Sequence, residues 1–309
     1  MKTNNFIKLS FEILEDKYET HLTHFDQLLD ILVLMYFDKI DNNNTIYSDE
    51  RLYYIDLITQ KFMTHGFSLK KLINGISIDS VSRGVNIKIF DPFSIHSLVR
   101  IVIENYLVQN YLSNTLYPQD ILECRFEIWM RYGLLQRKIN PENEEEKRVT
   151  ELDEKSIDEF EKLIKTKDCF QRLSENKKLS FLRTINKEWK IAFNDDKFYP
   201  LSWKELIKEA GVIDGVSDNM YNFLSWHAHS QSISILQFKD TWKNDSDKNS
   251  IKMSIKKLNM FISFMISDII KCGGFEKSYK TLNSNYKDLI NFYNISYRGE
   301  NFMVEPLND

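Results

Sequence analysis

Three side chains at four-residue steps, His96, Arg100 and Glu104, stand in a run otherwise built from Ile95, Leu98, Val99, Val102 and Ile103. On a helix that spacing stacks them along one stripe. Charges set into an apolar surface are either paired or held ready for chemistry. Further along, Leu224-Ser225-Trp226-His227-Ala228-His229-Ser230 puts Ser225 and His229 one helical turn apart, in the segment with the most closely spaced histidines of the chain. Imidazole exchanges protons near neutral pH, so a His229 sharing a face with Arg100 and Glu104 suits general acid–base work. Arg125, Glu127 and Arg131 form a third group: either one of them reaches across to Glu104 or all are solvated charges with aliphatic stems over the core, and Arg125, beside Phe126 and Trp129, is read as the inward one. A bland reading stands beside the catalytic one. Arg100 pairs with Glu104 to lock two helices together, and His229 is a core histidine hydrogen-bonded by Ser225.

Other chemistries lose most of their ground on spacing. His227 and His229 are two residues apart and do not share a helical face, and Cys124, Cys169 and Cys272 are isolated, so no metal set is expected. The phosphate-cradling G-x-x-x-x-G-K-[ST], the dinucleotide G-x-G-x-x-G, the zinc-binding H-E-x-x-H and the G-x-S-x-G elbow are all missing, and no cofactor is expected. The formal charge of −4 supplies no global field to gather nucleic acid or an anionic membrane, so any such binding rests on a local patch. The most apolar stretch, Leu28 to Phe37, is half the roughly 20 residues that a spanning helix needs. Isolated cysteines and an acidic amphipathic start fit a cytoplasmic protein without contact to a membrane.

The elements that must position these groups are helices. Gly and Pro number only 9 and 5 in 309 residues, well below the roughly 12 % of average usage, so long uninterrupted elements are expected. Apolar residues recur at three and four steps from Phe6 to Ile40. Ser48-Asp49-Glu50 reads as the start of a second helix that stops at Gly66, and Asp91-Pro92 as the start of a strongly apolar third. A partner helix begins near Pro118-Gln119-Asp120, completing a central hairpin over about Pro92 to Arg137. Ser202-x-x-Glu205 is a capping box for a short helix stopping at Gly211. Asp214 to Leu236, Ile251 to Cys272 and Tyr279 to Tyr293 complete the helices. The acidic run Pro141 to Arg148 is either a hinge or an exposed helix start, and Val85 to Ile89 is the best strand candidate. The expected fold class is all-α, a multi-helix bundle. It divides into an N-terminal region (1–90), a central bundle carrying the polar cluster (91–272) and a C-terminal helix with its tail (273–309), packed as one unit.

Two short patterns carry a resemblance. Arg100-x3-Glu104 after Asp91-Pro92-Phe93-Ser94-Ile95, and Ser225-x3-His229 after Leu224, resemble a bacterial all-helical family related to the HEPN superfamily, over roughly Ile46 to Phe264. The resemblance implies HEPN-like central helices with N- and C-terminal helical additions. It also implies metal-independent RNA cleavage in bacterial defence or toxin–antitoxin systems, in a homodimer or with an operon-encoded partner. His229 would then transfer the proton and Arg100 or Arg125 would hold the phosphate. Glu104 would orient them, and Ser225 completes the set of site residues. The six positions before His229 hold no arginine, so the cation must come from another helix. The alternative is a non-catalytic interaction or ligand-sensing module built on the same buried network.

Overall fold

Helix dominates the computed structural model, which describes residues 2–41, 47, 49–137, 140–216, 220–228, 232, 235–236 and 247–304. Thirteen α-helices and two antiparallel hairpins occur among those residues, in keeping with the all-α class. The chain divides into two compact units: residues 1–110 with 207–309, and residues 111–206. These limits differ from the three consecutive regions expected from the sequence. The N- and C-terminal helices pack on each other, so the first and last thirds of the chain fall in one unit.

In the first unit, α1 (Lys2–Leu14) and α2 (Tyr18–Asp41) replace the single helix expected over Phe6 to Ile40. Asp16 breaks it with φ at 51°. That conformation costs little for Asp, and the carboxylate gathers Lys252 and Lys256, each at 2.9 Å. These ammonium groups hold the Asp16 carboxyl far below its ordinary range. Helix α3 (Glu50–Ile73) starts at Asp49, whose side chain accepts from the Arg51 amide. It runs through Gly66 rather than stopping there. A Cβ on Gly66 would come within 2.7 Å of Leu29 Cδ2, so this glycine is a close-approach residue between two helices. The stop falls instead at Asn74, where Gly75 takes φ +87° and leads into the hairpin β1 (Ile76–Ser80) and β2 (Val85–Ile89).

Helix α4 (Pro92–Ser113) starts where its cap predicts: Asp91 Oδ1 accepts from the amides of Phe93 and Ser94, both at 3.1 Å. Of the later helices, α9 (Trp203–Glu209) keeps the reciprocal Ser202/Glu205 box. Next come α10 (Met220–Ala228), α11 (Asp247–Lys271), α12 (Glu276–Thr281) and α13 (Ser284–Arg298). Gly211, past α9, has φ +80°, and the Phe302 ring fills the space a Cβ would need. The core joins Phe25, Leu28 and Leu32 of α2 to Val99 and Ile103 of α4, Phe261 and Met265 of α11 and Ile290 of α13, all fully buried. One buried carboxylate, Asp268, accepts from Tyr106 Oη (2.9 Å), Asn110 Nδ2 (2.7 Å) and Arg298 Nη1 (2.9 Å), fixing α4, α11 and α13 in register.

The second unit carries α5 (Gln119–Gln136), α6 (Glu144–Thr166), α7 (Asp168–Gln171), α8 (Glu175–Ile185) and the hairpin β3 (Ile191–Asn194) and β4 (Lys197–Pro200). Its core is Cys124, Ile128, Ile164, Phe170, Phe181, Ile185 and Ile191. Of the two readings of the acidic run, hinge or exposed helix start, the structure shows the helix start. Asn143 caps α6 through the Glu146 amide, and α6 lies along α5, with Arg137 paired to Asp153. The β3–β4 hairpin has no counterpart in the expected elements. Its four-residue strands are too short for a two-residue period to stand out.

Candidate functional site

The polar stripe of α4 faces α10 and α11. Arg100 is mostly buried, its side chain 17 % exposed, and its Nε donates to Glu104 Oε1 at 2.9 Å. Its Nη1 donates to Ser225 Oγ on α10 at 3.2 Å. Two segments 125 residues apart therefore meet at one guanidinium, which is positioned by an acid on its own helix and a hydroxyl on another. Ser225 is half-buried and Trp226, next to it, is 40 % exposed, so this end of α10 opens towards solvent.

One turn earlier on α4, His96 is 1 % exposed and uses both ring nitrogens on serines of α11: Nδ1 lies 2.7 Å from Ser254 Oγ and Nε2 2.8 Å from Ser250 Oγ. The Phe223 ring of α10 meets the imidazole edge to face, centroids 5.1 Å apart, and Lys257 Nζ of α11 stands 5.2 Å from the same ring. Burial alone pushes the Lys257 ammonium down to about 8. Ser250, Ser254 and Lys257 follow each other at four and three residues on an apolar helix. That periodicity is visible in the sequence, but nothing local reveals that the stripe lies against His96, more than 150 residues away.

The residues expected to act together are placed as follows. Arg100, Glu104 and Ser225 come together. His229 lies outside the described residues. Arg125 belongs to the second unit and is fully buried. Its guanidinium carbon lies 4.3 Å from the Tyr111 ring centroid and 4.2 Å from that of Tyr117, and its Nη1 donates to the Tyr111 carbonyl at 3.4 Å. It is inward, as its apolar neighbours suggested, and held between two tyrosines. The central hairpin read from Pro92 to Arg137 is divided by the unit boundary at Asn110 and Tyr111. Glu127 and Arg131, its companions on α5, form ion pairs with Lys167 (2.9 Å) and Glu161 (2.7 Å). Burial raises the Glu127 carboxyl to about 7 even with that ammonium beside it.

A second polar centre of the first unit lies around Asp56, whose carboxylate accepts from Tyr36 Oη (2.6 Å), Tyr47 Oη and Lys39 Nζ (3.1 Å) beside a cavity of about 210 Å³. Lys39 also stands over the Tyr47 and Phe275 rings, at 4.7 and 4.6 Å, so the carboxylate and the ammonium satisfy each other. Among the described residues no group of three or more His, Cys, Asp and Glu side chains is arranged to hold a metal ion. Nor is any helix among them long and apolar enough to cross a membrane.

Fold and site together define a mostly helical protein of the all-α class with a partly open Arg–Glu–Ser cluster on one side of α4. The chain belongs to DUF5677, a family of unknown function, whose family model matches residues 77–251. The matched stretch contains Arg100, Glu104, Arg125, Ser225 and His229 together with His96 and Ser250. No curated protein and no solved structure matches the chain.

Proposed function

We propose that this protein is a HEPN-like, metal-independent endoribonuclease of bacterial defence or toxin–antitoxin type, working in the cytoplasm as a homodimer or under an operon-encoded partner. The observation that carries the reading is the meeting of Arg100 with Ser225 at 3.2 Å, because Ser225 begins the Ser225-x3-His229 pattern. In this reading Arg100 binds the scissile phosphate and stabilises the charge developing on it. Glu104 holds the guanidinium in place. His229 takes the ribose 2′-hydroxyl proton and returns one to the leaving 5′-oxygen. Arg125, sealed between two tyrosines, is left to structure, so Arg100 alone supplies the cation.

The test is incubation of purified protein with end-labelled RNA in EDTA. Arg100→Ala and His229→Ala should each lower cleavage by about 10²-fold or more while the circular dichroism melt stays within a few degrees of wild type. The non-catalytic reading rests on the Arg100–Glu104 pair, one helical turn apart, which is also an ordinary structural bridge. It expects no cleavage by wild type, and a loss of about 1–3 kcal/mol of stability when His229→Ala orphans a buried partner.

A further inference from the structure

His96 is buried, and each of its ring nitrogens meets a serine hydroxyl of α11. One ring nitrogen is tied to a fully buried hydroxyl, Ser254 at 2.7 Å, and the other to a hydroxyl nearer the surface, Ser250 at 2.8 Å. A nucleophile hydrogen-bonded to a base, with a third group orienting that base from behind, is the arrangement that activates hydroxyls in covalent catalysis. With the imidazole proton on Nδ1, donated to Ser254 Oγ, the Nε2 lone pair faces the Ser250 hydroxyl and can take its proton. Ser250 also stands in the first turn of α11, a helix of 25 residues. The backbone N–H groups of that turn have no intrahelical acceptor and sit at the positive end of the helix dipole, where they favour an oxyanion. Neither serine takes part in the proposed RNA-cleaving cluster.

We propose that Ser250 is a nucleophile and His96 its general base, forming a site that accepts an acyl group from a carboxylic ester. Ser250 Oγ bonds to the ester carbonyl carbon as its proton passes to His96 Nε2. The carbonyl electron pair moves onto oxygen and is held by the first-turn amides of α11. Collapse of that adduct breaks the carbon–oxygen bond to the alcohol, which leaves with the proton from His96. The serine ester is then hydrolysed by water along the same proton path, releasing the acid and restoring the hydroxyl. Because the orienting group is a neutral hydroxyl rather than a carboxylate, the imidazolium formed on the way is less stabilised. The nucleophile is therefore slow and best read with activated esters and electrophilic probes.

The experiment treats the full chain with a fluorophosphonate and locates the adduct by peptide mass spectrometry, alongside stopped-flow release of p-nitrophenol from p-nitrophenyl acetate. A single adduct on Ser250 and a burst approaching one equivalent are expected. Ser250→Ala should remove both, and His96→Gln should slow both by about 10²-fold or more. Ser254→Ala should slow labelling less, since it changes the orientation of the base without removing it. Ser250→Cys should be alkylated by iodoacetamide at least tenfold faster with His96 present than with His96→Gln. An adduct elsewhere, no adduct on folded wild type, or a rate unchanged by Ser250→Ala overturns the proposal. Should His96→Gln fail to fold, Ser250→Ala decides alone, because it deletes one half-buried hydroxyl. RNA cleavage is followed in the same preparations, and its loss or survival in Arg100→Ala leaves this outcome untouched.

Discussion

Two arginines of similar sequence context end in opposite situations. Arg100 lies on a helix whose neighbours are aliphatic, and Arg125 beside Phe126 and Trp129. Arg100 keeps 17 % of its side chain exposed and spends its fork on an acid and a serine, whereas Arg125 keeps none and lies between two tyrosine rings. A guanidinium is weakly hydrated and planar, so stacking against aromatic faces compensates much of its burial. The same delocalised fork near the surface is a binding group for phosphate or carboxylate. Local sequence reports only that each arginine has an apolar setting. Partners distant along the chain decide which of the two roles it takes.

The sharpest way to break this comparison is Arg125→Ala. Loss of two ring contacts and a cavity at a fully buried position should cost about 4 kcal/mol in urea unfolding, and a cost under 1 kcal/mol would mean that the arginine is not sealed. Glu127, also buried in the second unit, sharpens it through pH. Its folded value, raised to about 7, lies above the unfolded one, so between about 4.5 and 7 the folded chain holds a proton that the unfolded chain has released. Stability contributed by this group is therefore present at low pH and lost as pH rises through that window. Denaturation at pH 5 and pH 8 should show a difference that Glu127→Gln reduces by about 2 kcal/mol.

Lys257 gives the opposite sign in the first unit. Its folded value, pushed down to about 8, lies below the unfolded one, so between about 8 and 10.5 the unfolded chain binds more protons and stability rises with pH. Lys257→Met should flatten that rise by about 1–2 kcal/mol, measured as the wild-type minus variant difference at pH 7.5 and 9.5. Smallest of all, Arg100→Ala should change stability by less than about 1 kcal/mol, as for a partly exposed pair one turn apart. A loss as large as that of Arg125→Ala would make the two arginines alike and remove the case for a functional Arg100.

Helix starts were legible because their signals are local. Asp91 before Pro92, Asp49 before Glu50, and the Ser202/Glu205 box each hold the amides they should. Helix ends misled where a glycine serves contact rather than chain reversal: Gly66 reads as a stop, and only Leu29 across the helix pair explains it. The break at Asp16 was equally hidden, since its partners Lys252 and Lys256 come more than 230 residues later. At the candidate site, the i,i+4 link of Arg100 to Glu104 followed from spacing alone. The Arg100–Ser225 meeting joins helices 125 residues apart, which no local spacing specifies, and the Ser250–His96–Ser254 chain has no local signature because hydroxyls on an apolar helix are also tolerated without function.

The discontinuous first unit sets an order of events on the ribosome. Residues 111–206 form their core from neighbours in sequence and are ready once they emerge. Helices α2 to α4 must instead wait for α11 and α13: about 200 codons separate the end of α2 from the start of α11 and about 130 the end of α4, which at ~5–20 residues per second is roughly 7–40 s. During that interval Phe25, Leu28 and Leu32, fully buried in the complete fold, lack the later helices that help to cover them, and chaperone capture or protease nicking of the nascent N-terminal helices is where such a delay would be seen.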